Sequence, residues 1–167
     1  GVSERYLNVY GEKDLRAQMN QFFHRTYTHP VDGTTLDMKM LCNWYWYDET
    51  AILETGKGTK DWNFYRYAET LLSAAEAIAQ SSGVNAEAAG YLAQVKARAN
   101  MEGKDVSTIA SELQRLGKQA FIEECWKERL REFPLEMKIW DDCVRTGKFP
   151  QISATNKGEV QFVDLIG

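Results

Sequence analysis

The sequence predicts a mainly α protein: tetratricopeptide-like helical hairpins behind an irregular, loop-rich N-terminal segment. Tyr65, Ala68, Leu72, Ala75 and Ala79 repeat at three and four residues, and Tyr91, Leu92 and Val95 resume the stripe after a break at Ser81-Ser82-Gly83. That is the period of helices burying one face, and the short connection makes them antiparallel. Only three prolines occur in 167 residues, which permits long helices. Before residue 61 the signals are turns instead: His29-Pro30, Asp32-Gly33 and the Gly56-Lys57-Gly58-Thr59 stretch.

Taken in order, Glu12 to Phe23 predicts one helix, with Leu15, Met19 and Phe22 on a common face. Met38 to Tyr47 is apolar and aromatic and contains Trp44-Tyr45-Trp46-Tyr47. On a strand those four would point to alternate faces, so they cannot all be core. Asp61 predicts an N-cap for a helix that ends at Gly83. Asn85 caps a second helix, Ala86 to about Ala99. Ser107 caps a third stretch reaching about Phe133, which Gly117 splits or bends. Its inward side is Ile122, Cys125, Trp126, Arg129, Leu130 and Phe133. Pro134 stops or kinks it, and Leu135 to Arg145 predicts a last helix ended by Thr146-Gly147. The tail, with Val160, Phe162 and Val163, reads as extended. The organisation is thus an irregular aromatic-rich segment packing on the helices (1–60), a helical region (61–148) and an extended tail (149–167). Stacked helix hairpins are how solenoids are built, although the tetratricopeptide consensus of about 34 residues is not visible. Trp62, Tyr65, Tyr67, Trp126 and Trp140 sit at helical spacing and are assigned to the core.

Composition excludes several classes. Apolar residues at 44% and charged residues at 26% belong to a folded globular body. A net charge of −4 argues against nucleic-acid binding. No run of about 18 apolar residues crosses a membrane. The chain opens Gly1-Val2-Ser3 without a basic segment leading into an apolar one, so no signal peptide is read there. Three cysteines, Cys42, Cys125 and Cys143, are an odd number without C-x-x-C and read as buried or half-buried thiols, not a zinc site. His24 and His29, near Asp32, lie in a turn and make no metal site. Gly56-Lys57-Gly58-Thr59-Lys60 lacks the strand-to-helix setting of a phosphate loop, and no G-x-S-x-G occurs. Glu128, Glu132 and Glu136, alternating with Arg129, Arg131 and Lys138, read as a salt-bridged helix surface rather than facing catalytic carboxylates. No catalytic residue, metal or cofactor is therefore expected. The candidate binding residues are Trp44, Tyr45, Trp46 and Tyr47, because Trp and Tyr planes stack on the C–H faces of sugar rings. The alternative is that two pack inward and two lie on a neighbouring surface.

Four blocks in order over residues 64–148 resemble the SusD/RagB family of outer-membrane glycan-binding lipoproteins of Bacteroidetes. They begin with Arg66-Tyr67-Ala68-Glu69-x-Leu71-Leu72-x-x-Ala75-Glu76-Ala77, followed by Leu92-x-x-Val95-Lys96-x-Arg98-Ala99. Glu128-Arg129-x-x-Glu132-Phe133-x-x-Glu136 and Trp140-x-Asp142-x-x-Arg145-Thr146-Gly147-Lys148 complete the set. Asp14-Leu15-Arg16 and Lys39 match upstream positions. Met137 stands where the family has a glycine, Ile139 where it has an arginine, Ala93 where it has an asparagine and Lys96 where it has an arginine. The resemblance implies helical hairpins and glycan binding for nutrient uptake without catalysis, beside a SusC-like TonB-dependent porin. It implies a surface-exposed outer-membrane lipoprotein whose lipid anchor is absent from this chain, which is similar to a C-terminal portion of the family. It implies no fixed ligand motif. Arg66, Glu69, Glu76, Glu128, Arg129, Asp142 and Arg145 are expected to tie helices together, since buried charges must be paired. The other reading is a helical-repeat scaffold whose ligand is protein.

Overall fold

The computed structural model describes residues 2–19 and 21–166. Among them are five α-helices: α1 Tyr67–Ser82, α2 Ala86–Arg98, α3 Val106–Leu113, α4 Lys118–Glu132 and α5 Ile139–Thr146. Two antiparallel hairpins flank them, β1 (Phe23–Thr28) with β2 (Thr35–Asn43), and β3 (Lys148–Ile152) with β4 (Val160–Asp164). The protein is mainly α, as the sequence predicts. α1 packs on α2 and α4, and α2 packs on α3. Leu72, Ala75, Ala79, Ala88, Ala89, Leu92, Ala93, Phe121 and Cys125 are fully buried between them. Alanine there brings backbones close at no cost in side-chain freedom.

The helix ends follow from local chemistry in part. Gly83, at φ +83°, closes α1 in a conformation that only glycine adopts cheaply. Asn85 caps α2, its side-chain oxygen accepting from the Ala88 amide at 2.9 Å. Gly117 splits the third stretch: α3 stops before it and α4 starts after it. The cap of α3 is Asp105, not Ser107; its Oδ1 accepts from the Thr108 amide at 2.8 Å and from the Ser107 hydroxyl at 2.9 Å. A carboxylate two residues earlier outcompetes the serine. Asp61 caps nothing, and α1 begins at Tyr67 after an extended Arg66. Residues 61–66 stay out of the helix because Trp62 stacks on Trp46 and Arg66 reaches Glu132 and Glu136. α5 also starts late, at Ile139. Before it Met137 sits at φ +59°, 80% exposed, in the left-handed region. The backbone at that position is one that favours glycine.

The described residues of 12–23 are not a helix. Asp14 caps a single 3-10 turn, Leu15–Ala17, and β1 begins at Phe23. The helix loses because other partners take its backbone groups: the Leu15 amide donates to Ala99 at 2.8 Å, and Lys13 accepts from Met101 at 2.9 Å. In β2 the pairing jumps from Asp37, opposite Thr26, to Cys42, opposite His24, and Lys39 in the bulge has φ +59°. The bulge lets Leu41 pair with Val2 instead. Val9, Tyr10, Phe23 and Leu41 form a second core with Leu130 of α4 and Val160 of β4. Pro150 lies in β3, where a two-stranded sheet is all edge and tolerates it. α4 is therefore covered by α1 on one side and by the N-terminal segment and β-tail on the other.

Candidate functional site

α4 is rich in charge, yet Glu128, Arg129, Arg131 and Glu132 are all buried. With Glu136 they make interior ion clusters, not the exposed ladder that their spacing suggested. The periodicity marks one face correctly; what it cannot show is that a distant segment covers that face. Glu132 accepts from Arg16 at 2.9 Å, from Arg66 at 2.8 Å and from Arg98. Arg66 also grips Glu136 at 2.6 Å. Arg131 donates to Glu124 at 2.9 Å and Glu128 at 3.2 Å, and Lys96 pairs with Glu124 at 2.5 Å. Glu128 Oε1 lies 2.8 Å from Arg16 Nη1 but off the N–H direction, so that contact is an ion pair without a hydrogen bond. Burial works against the Glu128 charge, but Arg16, Lys96 and Arg131 outweigh it and hold the carboxyl well below the usual range.

On the other side of α4, Arg129 donates to Asp142 at 2.7 Å, and its Nη2 reaches Glu69 at 3.4 Å. Glu76 takes both arms of Arg145, at 2.8 and 2.9 Å, and the Trp126 indole N–H at 2.8 Å. Phe133 lies between the clusters, with the Arg66 and Arg129 guanidiniums 4.8 and 5.4 Å from its ring centre. Arg66, Glu69, Glu76, Arg129, Asp142 and Arg145 thus join α1, α4 and α5, while Glu128 ties α4 to Arg16 and to Lys96 of α2; little is left free to bind a ligand. A cleft of about 560 Å³ between the Gly11–Asp14 turn, α2, α3 and α4 is lined by charge and no aromatic ring. Its Lys96 and Lys104 are paired with Glu124 and Glu112.

The aromatic run lies beyond β2, in a turn rather than on a strand, so its side chains do not alternate. Trp44 stacks on Tyr47 at 4.3 Å with 10° between planes, and His24 lies 4.3 Å from Trp44, tilted by 37°. Trp46 stacks on Trp62 at 4.5 Å and 5°, and donates to the Leu135 carbonyl at 3.3 Å. Tyr45 packs edge-on against Phe22 and Trp46. All four residues of the run are half-buried. Trp44 and Trp46 are spent largely on their neighbours; Trp62 is exposed, and Tyr47, which also lies 6.3 Å from Tyr27, borders an open cleft.

Trp62, Tyr65, Tyr67 and Trp140 are not core; they are 49%, 59%, 70% and 65% exposed. Helical spacing misassigned them because Trp62 and Tyr65 precede the helix and the outer faces of α1 and α5 are uncovered. Trp126 is half-buried against the helical core. Sequence reasoning missed Trp62 as a surface plane; its place beside Gly56 and Gly58 in a loop was the available signal.

Tyr47, Asp48, Glu49, Thr59 and Lys60 line an open cleft of about 410 Å³. Asp48 accepts from the Thr59 amide at 2.8 Å, its hydroxyl at 3.2 Å and the Ala51 amide at 3.3 Å, which hold its carboxyl below the usual range. Burial, then the Glu49 charge, push the Tyr47 hydroxyl up. Burial also lowers His24, which is therefore neutral at pH 7. Cys42 is half-buried and Cys125 and Cys143 are buried, all as free thiols. No cluster of three metal-ligating side chains occurs among the described residues.

A helical-hairpin scaffold tied by buried ion pairs, with stacked aromatics on an adjoining loop, is the class that fold and site define. The SusD family model matches residues 8–164, and the chain belongs to that family. A solved SusD superfamily protein from Parabacteroides distasonis ATCC 8503 is similar at 27% identity and a TM-score of 0.80. The likeness covers 99% of this chain and 34% of that one, so the chain spans about a third of that relative's length. No curated protein matches it.

Proposed function

We propose that the protein binds a glycan without transforming it, for nutrient uptake, as a surface-exposed lipoprotein of the outer membrane working with a SusC-like TonB-dependent porin. Family membership supports the class. One observation carries the sugar site: Tyr47, stacked on Trp44, lines a cleft with two carboxylates, a threonine and a lysine, and in the same loop Trp62 stacks on Trp46 and stays exposed. Flat apolar faces with polar groups at their rim are what a pyranose needs. Trp44, Tyr45 and Trp46 hold the platform, while Tyr47 and Trp62 touch the ligand. The groove is open, so affinity per site is modest. Glycan-array screening followed by calorimetric titration tests this. Tyr47→Ala and Trp62→Ala should each weaken binding about tenfold, since a stacked ring contributes roughly 1.4 kcal/mol. Unchanged affinity in both variants removes these residues from the site.

The second reading, a protein-binding scaffold, is favoured by the exposed Phe64, Tyr65, Tyr67 and Trp140. Under it Trp140→Ala weakens capture of the porin, and Tyr47→Ala leaves both capture and sugar titrations unaltered.

A further inference from the structure

Tyr47 shares its cleft with two carboxylates, and Lys60, the cation that lines it, is tethered to the backbone. Asp48 and Glu49 follow Tyr47 and line its cleft; Asp61, exposed, precedes Trp62. Lys60, the cation lining the cleft, donates to the Tyr45 carbonyl at 2.6 Å and lies 5.5 Å from the centre of the Tyr45 ring. Lys138, near Phe64 and Tyr65, donates to the Phe64 carbonyl at 3.0 Å and pairs with Glu69 at 3.2 Å. His24, behind Trp44, carries no charge at neutral pH.

A uronate or sulfated sugar stacked on Tyr47 would place its anion beside two carboxylates. Lys60 sets one positive charge against those two negative ones, and its bond to the Tyr45 carbonyl tethers it. Like charges a few ångströms apart at a surface repel weakly but measurably, and salt screens them. Sugar hydroxyls, by contrast, donate to carboxylates in charge-assisted bonds. We propose that the ligand is an uncharged glycan whose hydroxyls donate to Asp48 and Glu49, and that the same two carboxylates turn away uronate-bearing and sulfated glycans. This rests on reading Tyr47 and Trp62 as stacking planes.

Calorimetric titration of the whole chain at about 20 mM and about 300 mM salt tests it. The probes are neutral gluco-, xylo- and manno-oligosaccharides, oligogalacturonate with its methyl-esterified counterpart, and a chondroitin sulfate hexasaccharide. Neutral probes should bind, and anionic ones should bind at least about tenfold more weakly at low salt. Glu49→Gln should narrow that gap about threefold, more at low salt than at high. An anionic glycan that binds more tightly than every neutral one, and is lost in Tyr47→Ala, overturns this inference and leaves the stacking site standing. Binding by no probe, or binding untouched by both Tyr47→Ala and Trp62→Ala, overturns the stacking site and this inference with it.

Discussion

α4 and the loop from Trp44 to Trp62 both concentrate residues that usually lie on surfaces or bind ligands, and the structure uses them in opposite ways. In α4 the charges are sealed between two cores and satisfy one another, with three arginines on Glu132 alone. In the loop the rings stack in pairs, with Trp62 exposed and Tyr47 bordering an open cleft. Closed clusters of this kind hold a scaffold; half-open ones can exchange a neighbour for a ligand. The same residue types therefore carry different roles according to whether a second layer covers them.

The largest expected effect breaks the closed side of that contrast. Glu132→Ala removes the buried carboxylate that Arg16, Arg66 and Arg98 share and should cost about 3 kcal/mol, read as a drop of about 10 °C in thermal melting. Acid acts on the same cluster. The Glu124 and Glu128 carboxyls are held below their ordinary value of 4.5. The stability they supply is complete above that value and is lost as pH falls from it toward their folded values, so urea midpoints should decline below about pH 4.5. At the other extreme, burial raises Tyr6 and Tyr10 above 10.0, so stability should also fall as pH climbs past that value, followed by tyrosinate absorbance.

Met137→Gly should stabilise by about 1 kcal/mol, because it relieves a left-handed backbone at an exposed site. A destabilised variant would mean that the Met137 side chain contributes more than its exposure indicates. The smallest stability change belongs to the open side: Trp62→Ala should alter melting by less than about 1 kcal/mol while weakening glycan binding. A large loss of stability there would make the Trp46–Trp62 stack a structural pair, and the contrast with α4 would fail.

The α1–α2 hairpin was readable from local residues. Its alanine period, Gly83 and the Asn85 cap act within a few positions of each other, and those contacts survive in any setting that buries one face. The four family blocks were readable as well; that Met137, standing where the family has a glycine, is left-handed appeared only in the structure. Long-range competition decided the rest. Glu12 to Phe23 has the spacing of a helix, but Leu15 and Lys13 bond to Ala99 and Met101, and Arg16 turns to Glu132. Asp61 has the chemistry of a cap, but Trp62 finds Trp46 and Arg66 finds Glu136. Glu128 and Glu132 have the spacing of a solvated stripe, but the N-terminal segment lies over them. Propensities and caps are worth about 1 kcal/mol each, so a cluster of buried ion pairs or a stacked indole overrides them. Helix period and turn chemistry are local properties that the order of residues carries. Burial is a property of two segments at once, and only the folded chain assigns it.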